Sequence, residues 1–268
     1  TEDSYEYRWI TNNSGVIESI EEYINNKLIN KSTISVYDQN TIDSSSYKRV
    51  YLTDLNSKSE IYCYDDEGYL LSYIDKLGFQ SQFSYNEKET NDFSLYSRKR
   101  IKQECSNIFV KDDSKSVLKG GFFYGGSTSS FDDSSSVGTY VGGYFPYEYF
   151  GSFGLNISGN GYISQNVTLD NNKYVISFWA NGQGSLKIIL GDNTYYVNTT
   201  KMTMPYFIIV DGNKNGFRLI NIGSSLVTIS GLVITKANIK EYQYSSNGIS
   251  KVITNYEEKN IYYKGVVN

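Results

Sequence analysis

Tyrosine, glycine and a turn-forming residue recur in this chain at fixed offsets, and that recurrence limits its possible folds more than any other feature. In the segment Ile61 to Tyr85, alternating Tyr62 and Tyr64 lead to a turn at Asp66-Glu67-Gly68. A second strand runs to Ile74, another turn follows at Asp75-Lys76-Leu77-Gly78, and a third strand ends on Tyr85. The pattern returns near the C-terminus with Tyr242 and Tyr244, a turn at Ser246-Asn247-Gly248, a strand to Ile253, Asn255, and Ile261-Tyr262-Tyr263. Tyr64 to Gly68 and Tyr244 to Gly248 are each four apart; Gly68 to Asp75 and Gly248 to Asn255 are each seven apart. A weaker copy begins at Tyr5-Glu6-Tyr7, turns at Asn13-Ser14-Gly15 and has Glu22 seven past the glycine. Glycine and asparagine tolerate the positive φ of tight turns. Alternating tyrosines give each strand a row of half-buried rings that stack on the next strand. One such unit cannot bury its own face, so it needs neighbours.

From about 106 to 238 the texture changes. A Gly/Ser-rich stretch, Gly120 to Gly126 and Ser127 to Ser136, opens a series of strands: Tyr162–Leu169, Tyr174–Ala180, Ser185–Leu190, Tyr195–Val197, Tyr206–Val210, Gly216–Ile220 and Val227–Thr235. Their spacing of about ten residues, with Asn, Gly and Asp between them, predicts an antiparallel sandwich. The expected architecture is all-β: hairpin segments over 1–105 and 239–268, and a jelly-roll sandwich over 106–238 inserted between them. An inserted domain requires its two ends, near 106 and 238, to lie close together.

Composition narrows the chemistry. The chain has no histidine, which excludes a Ser-His-Asp triad, a Cys-His dyad and His-ligated zinc or haem within it. A net charge of −4 gives no electrostatic case for nucleic acid, and the basic run Arg98-Lys99-Arg100 with Lys102 reads as a solvated strand or linker face. No apolar run is long enough for a membrane-spanning helix. Cys63 and Cys105 are too few for a disulfide scaffold; a buried free thiol and a Cys63–Cys105 bridge both remain open. The adjacent carboxylates Asp112-Asp113, Asp132-Asp133 and Glu257-Glu258 lie in loop-like settings, and neighbours on a strand point to opposite faces, so no catalytic pair is expected. No phosphate loop or Cys-x-x-Cys metal pair is present. The chain is read as a non-enzyme.

The hairpin units resemble the YD repeats of Rhs-type bacterial proteins and teneurins, through Tyr-x-Tyr-Asp-x-x-Gly at Tyr62 to Gly68 and Asp75 to Gly78. The copy at Tyr242 has Ser245 in place of the aspartate. That resemblance implies repeats that spiral into a hollow β-shell, often around a toxin. Three copies are too few to close one. It also implies that the chain is a piece of a longer secreted or cell-surface bacterial protein, with neighbouring YD repeats as partners. The middle block is similar to the galactose-binding-like jelly rolls found as carbohydrate-binding modules, through Gly159 to Leu169, Tyr174-x-x-Ser177-Phe178-Trp179-Ala180 and Ile229 to Ile234. Many such modules carry a structural calcium on a Gly-x-Phe-Glu start and an Ile-Asp-Asp-Val end. Here Phe122-Phe123-Tyr124 lacks the glutamate and Gly231 stands where an aspartate would be, so that calcium is doubtful and no cofactor is expected.

A sugar site pairs an aromatic face with amides that fix hydroxyls. If Tyr174, Ile176 and Phe178 face the core, alternation puts Ser177 and Trp179 on the opposite surface. Trp179 is therefore the leading ring candidate, with Tyr144, Tyr147 and Tyr149 around Pro146 as loop contacts and Asn181, Gln183 and Asn193 as amides. The competing reading has Trp179 packed under a loop. The expected function is non-catalytic glycan binding, for attachment to a cell surface; the alternative is a structural segment of the shell with no ligand of its own.

Overall fold

The structure is a computed structural model that describes residues 4–40, 46–86, 99–111, 113–141, 153–245, 248–255 and 258–261. Apart from one short 3-10 turn at Tyr124–Gly126, the described secondary structure is antiparallel strand. The chain divides into two compact units, Thr1–Gly78 and Phe79–Asn268.

The first unit is a meander of β1 (Tyr5–Thr11), β2 (Ile17–Ile24), β3 (Lys27–Asn40), β4 (Ser46–Thr53), β5 (Ser59–Tyr64) and β6 (Leu70–Ile74), each antiparallel to the next. One loop design recurs. Asp65 accepts the backbone N–H groups of Glu67 (3.0 Å) and Tyr69 (2.8 Å) on Oδ1, while Gly68, at φ 85°, donates to the Asp65 carbonyl. Asn12 does the same for Ser14 and Val16, and Asp54 for Asn56 and Lys58. The side chain thus satisfies backbone donors that a five-residue loop leaves unpaired. This chemistry explains why an Asx residue precedes each glycine by three, and it also shows a copy at Asp54 that the tyrosine spacing does not reveal, because Ser57 takes the positive φ there (59°). The weakest copy departs in its second half. Glu22 lies within β2, and the chain turns instead at Asn25-Asn26, both at positive φ (50° and 64°), as a two-residue hairpin turn demands.

The second unit begins with β7 (Phe79–Tyr85) and β8 (Ile101–Phe109) and continues into β9 (Asp133–Val141), β10 (Phe153–Thr168), β11 (Lys173–Asn181), β12 (Gly184–Leu190), β13 (Asn193–Thr199), β14 (Met204–Asp211), β15 (Asn215–Asn221) and β16 (Val227–Thr235). It closes with β17 (Asn238–Ser245), β18 (Gly248–Thr254) and β19 (Glu258–Asn260). β7-β8-β17-β18-β19 form one run of paired strands. β9 to β16 form the jelly-roll sandwich, so the expected all-β class holds. Ser106 and Cys105 of β8 pair with Asn238 and Ile239 of β17, so the chain leaves for the sandwich and returns on adjacent strands. The compact division nevertheless falls after Gly78 and not at 105, and β8 runs on to Phe109.

β10 is the hinge of the sandwich. Its first half pairs with β16 (Leu155↔Ile229) and its second with β15 (Tyr162↔Ile220), so two sheets, β14-β11-β16-β10 and β10-β15-β12-β13, share it. They pack face to face through Ile157, Ile163, Ile176, Phe178, Ile188, Phe217, Leu219, Ile229 and Leu232, all 2% exposed or less. At the corner, fully buried Asn221 donates to the carbonyls of Ile157 (2.8 Å) and Ser225 (2.7 Å) and accepts from Gly223 N–H, pairing backbone groups freed where the sheets part. In β16 the inward residues are Val227 and Ile229, then Leu232 and Ile234: one residue is inserted, and Gly231 at φ 60° takes that bulge. β9, poor in apolar residues, overlaps the end of the Gly/Ser-rich stretch and is not among the strands expected from the sequence.

The Gly/Ser-rich segment is stapled, not loose. Gln165 of β10, 8% exposed, accepts from Lys119 N–H (2.8 Å) and donates to the carbonyls of Lys119 and Ser130. Lys119 Nζ in turn donates to the carbonyls of Asp113 (3.1 Å), Ser114 (3.4 Å) and Ser116 (2.5 Å), while the Asp113 carboxylate accepts Gly120 N–H. Leu232 N–H donates to Gly121 O, and a Cβ on Gly121 would lie 1.8 Å from the Leu232 carbonyl oxygen.

Three stability predictions follow from these contacts. Gly121→Ala removes that approach and should cost roughly 2–4 kcal/mol in denaturant unfolding, while Gly138→Ala, which meets nothing within 4 Å, should be near neutral. Lys119→Ala should cost roughly 1–2 kcal/mol, with the wild type insensitive to a calcium chelator. Asp170 accepts from Lys236 Nζ (2.6 Å), Asn172 Nδ2 and the Tyr174 hydroxyl, which hold its carboxyl down to about 2. A lowered carboxyl stabilises above its unfolded value, near 4, and loses that contribution as pH falls toward 2. The melting temperature of Asp170→Asn should therefore lie below wild type at neutral pH and converge on it across that acidic window.

Candidate functional site

Among the described residues, those expected to bind a sugar, Trp179, Asn181, Gln183 and Asn193, do not form one exposed site. The alternation in β11 is as read: Tyr174, Ile176 and Phe178 face the sandwich core. The opposite face, however, is internal as well. Val175, Ser177 and Trp179 are at most 1% exposed. Ser177 Oγ donates to Gln82 Oε1 of β7 (2.9 Å), and Gln82 Nε2 donates to the Tyr206 carbonyl (3.4 Å). Trp179 is thus a core residue and offers no platform to solvent; alternation tells which side a residue takes, not whether another layer covers it. Asn181 Nδ2 is spent on the Lys201 carbonyl (2.9 Å) and Thr203 Oγ1. Gln183 is exposed in the turn before β12. Asn193 begins β13 at the far end of that strand, roughly 20 Å away, and donates to the Tyr195 hydroxyl (3.3 Å). Tyr144, Tyr147 and Tyr149, with Pro146, lie outside the described residues.

Another surface carries the combination sought. Because Leu186, Ile188, Leu190, Phe217, Leu219 and Ile163 turn into the core, their neighbours in β12, β15 and β10 turn outward. The register sets them in rows. One runs Ser135–Tyr162–Ile220–Lys187–Tyr196 across β9, β10, β15, β12 and β13. The next runs Asp133–Ser164–Arg218–Ile189–Thr194. Tyr196 is 66% exposed. The Arg218 guanidinium lies 3.8 Å from the centre of the Tyr162 ring, and the Tyr162 hydroxyl donates to Asp133 Oδ2 (2.7 Å), a bond that raises the phenol's pKa. Tyr162 is thereby held at both its ring and its hydroxyl, while Tyr196, three strands or roughly 14 Å away, is exposed. At one end the face runs into a groove of about 400 Å³ lined by Asp132, Ser164, Asn166, Asn215 and Arg218. The Asp132 carboxylate accepts the Asn166 N–H there.

Sequence reasoning passed over these residues for a local reason. The pair Tyr195-Tyr196 has one ring on each face, and periodicity does not say which is outside; Phe217-Arg218-Leu219 was the clearer signal that this face is polar. The rows contain no metal set: among the described residues no three Asp, Glu or Cys side chains converge. The carbonyls that gather in the loop at 113–116 hold the chain's own Lys119 ammonium, so the residues there do not fit a calcium ion. Cys63 and Cys105 are both free and buried, and burial pushes each thiol up to about 12.

No family model matches the chain, and no curated protein matches it in sequence. Among solved structures it is similar to a family 61 carbohydrate-binding module in complex with β-1,4-galactotriose (16% identity, TM-score 0.37, 46% of this chain and 99% of that one). It is also similar to the C-terminal family 6 module of a laminarinase from Zobellia galactanivorans (16%, 0.30, 40% and 94%). A third is the family 6 module of Cellvibrio mixtus lichenase 5A in complex with cellotriose (15%, 0.28, 40% and 91%). At these identities the likeness concerns the fold, and a ligand for this chain has to be argued from its own surface.

Proposed function

We propose that residues 106–238 form a non-catalytic glycan-binding module whose ligand lies across the outer face of β10, β15, β12 and β13. The observation that carries this reading is the open sheet face with Tyr196 exposed at one side and the clamped Tyr162 ring at the other. An aromatic ring in water gains from covering the C–H face of a sugar, and between the two rings Lys187 and Arg218, beside Ile220 and Ile189, can engage its hydroxyls. A flat face accepts a chain lying along it and does not enclose a small molecule.

The module is proposed as an insert in a larger Rhs/YD-repeat protein at a bacterial cell surface or beyond it, where glycan adhesion would serve attachment. The recurring Asx loops at Asn12, Asp54, Asp65 and Asp75 support that context. One observation favours the second reading, a purely structural role: Ser177 and Gln82 join the sandwich to β7 through a buried hydrogen bond, as a buttress would.

A glycan array and a polysaccharide pull-down of the intact chain separate the two. Binding should be found, and Tyr196→Ala should weaken it about tenfold or more, roughly 1.4 kcal/mol, with the melting temperature unchanged. Trp179→Phe should leave affinity as it is. Silence across a broad panel of neutral and charged glycans would leave the structural role.

A further inference from the structure

We infer that the glycan taken by this face is acidic, a chain bearing carboxylate or sulfate groups; the inference rests on the glycan-binding reading above. Lys187 and Arg218 both point outward from adjacent strands. Lys187 pairs in register with Ile220 and Arg218 with Ile189, so the two cations stand on a diagonal, roughly 7–8 Å apart at the backbone. Neither forms an ion pair among the described residues. The nearby carboxylates are committed elsewhere: Asp133 to the Tyr162 hydroxyl (2.7 Å), Asp132 to the Asn166 N–H, and Asp192 to Lys214 Nζ (2.5 Å). Two cations without an ion-pair partner are thus held side by side on a chain whose net charge is −4, with the carboxylates of Asp132 and Asp133 on the β9 side of Arg218 and none in the row that holds Lys187.

The chemistry of the two central side chains points the same way. Lysine and arginine donate and cannot accept. A neutral sugar hydroxyl wants acceptors as well as donors, whereas carboxylate and sulfate oxygens accept only and form the stronger, charge-assisted bonds. Arg218 is further prepared for that partner. Its guanidinium lies against the Tyr162 ring, which fixes its plane and leaves its edge for a two-point contact with a planar anion. Tyr196 would then hold the sugar backbone while the central cations read its charge.

The test uses the intact chain and two matched pairs: polygalacturonate against its methyl ester, and dextran sulfate against dextran, each by affinity electrophoresis at low and high salt. The acidic member of at least one pair should bind about tenfold tighter or more, and which pair does so identifies the anion. Salt should erode that preference. Lys187→Gln and Arg218→Gln should each remove most of it without lowering the melting temperature, and Tyr196→Ala should weaken acidic and neutral forms alike. Equal affinity for neutral and acidic members would overturn the inference and leave the glycan reading standing. So would a preference that survives both glutamine substitutions. Binding of no member of either pair, nor of the wider panel, would remove the glycan reading itself.

Discussion

The sandwich depends on β10 serving two sheets. A strand of that length could have stayed in one ladder. Instead its register breaks between Ile157 and Tyr162, and the chain passes from β16 to β15 as its partner. A break of this kind frees backbone groups in the interior, where each would cost on the order of 1–3 kcal/mol if left unpaired. Asn221 answers that need with one amide, binding Ile157 O and Ser225 O at once. The two sheets can then close on each other, and the outward rows of β15 and β12 are a by-product of that closure: residues are exposed there because their neighbours are committed to the shared core.

Much of this organisation could be read from residue order. The hairpin spacing in 61–85 marks real strands, and Asp65 and Asp75 act in their loops as turn chemistry requires. The sandwich strands from Tyr162 onward fall near their expected places because Asn, Gly and Asp punctuate them. β9 was hidden because Asp133-Ser-Ser-Ser-Val-Gly-Thr-Tyr-Val141 has little apolar alternation; its place comes from pairing with β10 and not from its own propensity. Trp179 was misplaced for a different reason. Alternation separates two faces, but it does not show that the second is covered as well, as Ser177 is by Gln82, far away in sequence. The binding face was the least legible part, since it consists of side chains on strands that meet only through register.

The contact between β7 and the sandwich is polar at its centre. Gln82 and Ser177 are both buried, and each satisfies the other. An apolar contact there would tolerate sliding of one layer over the other, whereas a paired amide and hydroxyl fix a single position, because any shift leaves both unpaired. Such an arrangement gives orientation more than strength. Whatever the outer rows of β12 and β15 hold is presented in one direction relative to β7 and β8.

The register of Ser106 with Asn238 and Cys105 with Ile239 has a consequence for how the chain acquires its fold. β8 and β17 are one ladder step apart in space, yet everything from β9 to β16 lies between them in sequence. Pairing them in an unfolded chain would mean closing a loop of the whole sandwich, an entropic cost that grows with its length. Once the sandwich has folded, that distance is already spanned, and the two strands meet as if joined by a short turn. The second unit would therefore assemble from the inside outward, with β17 and β18 added last, in the order in which they leave the ribosome.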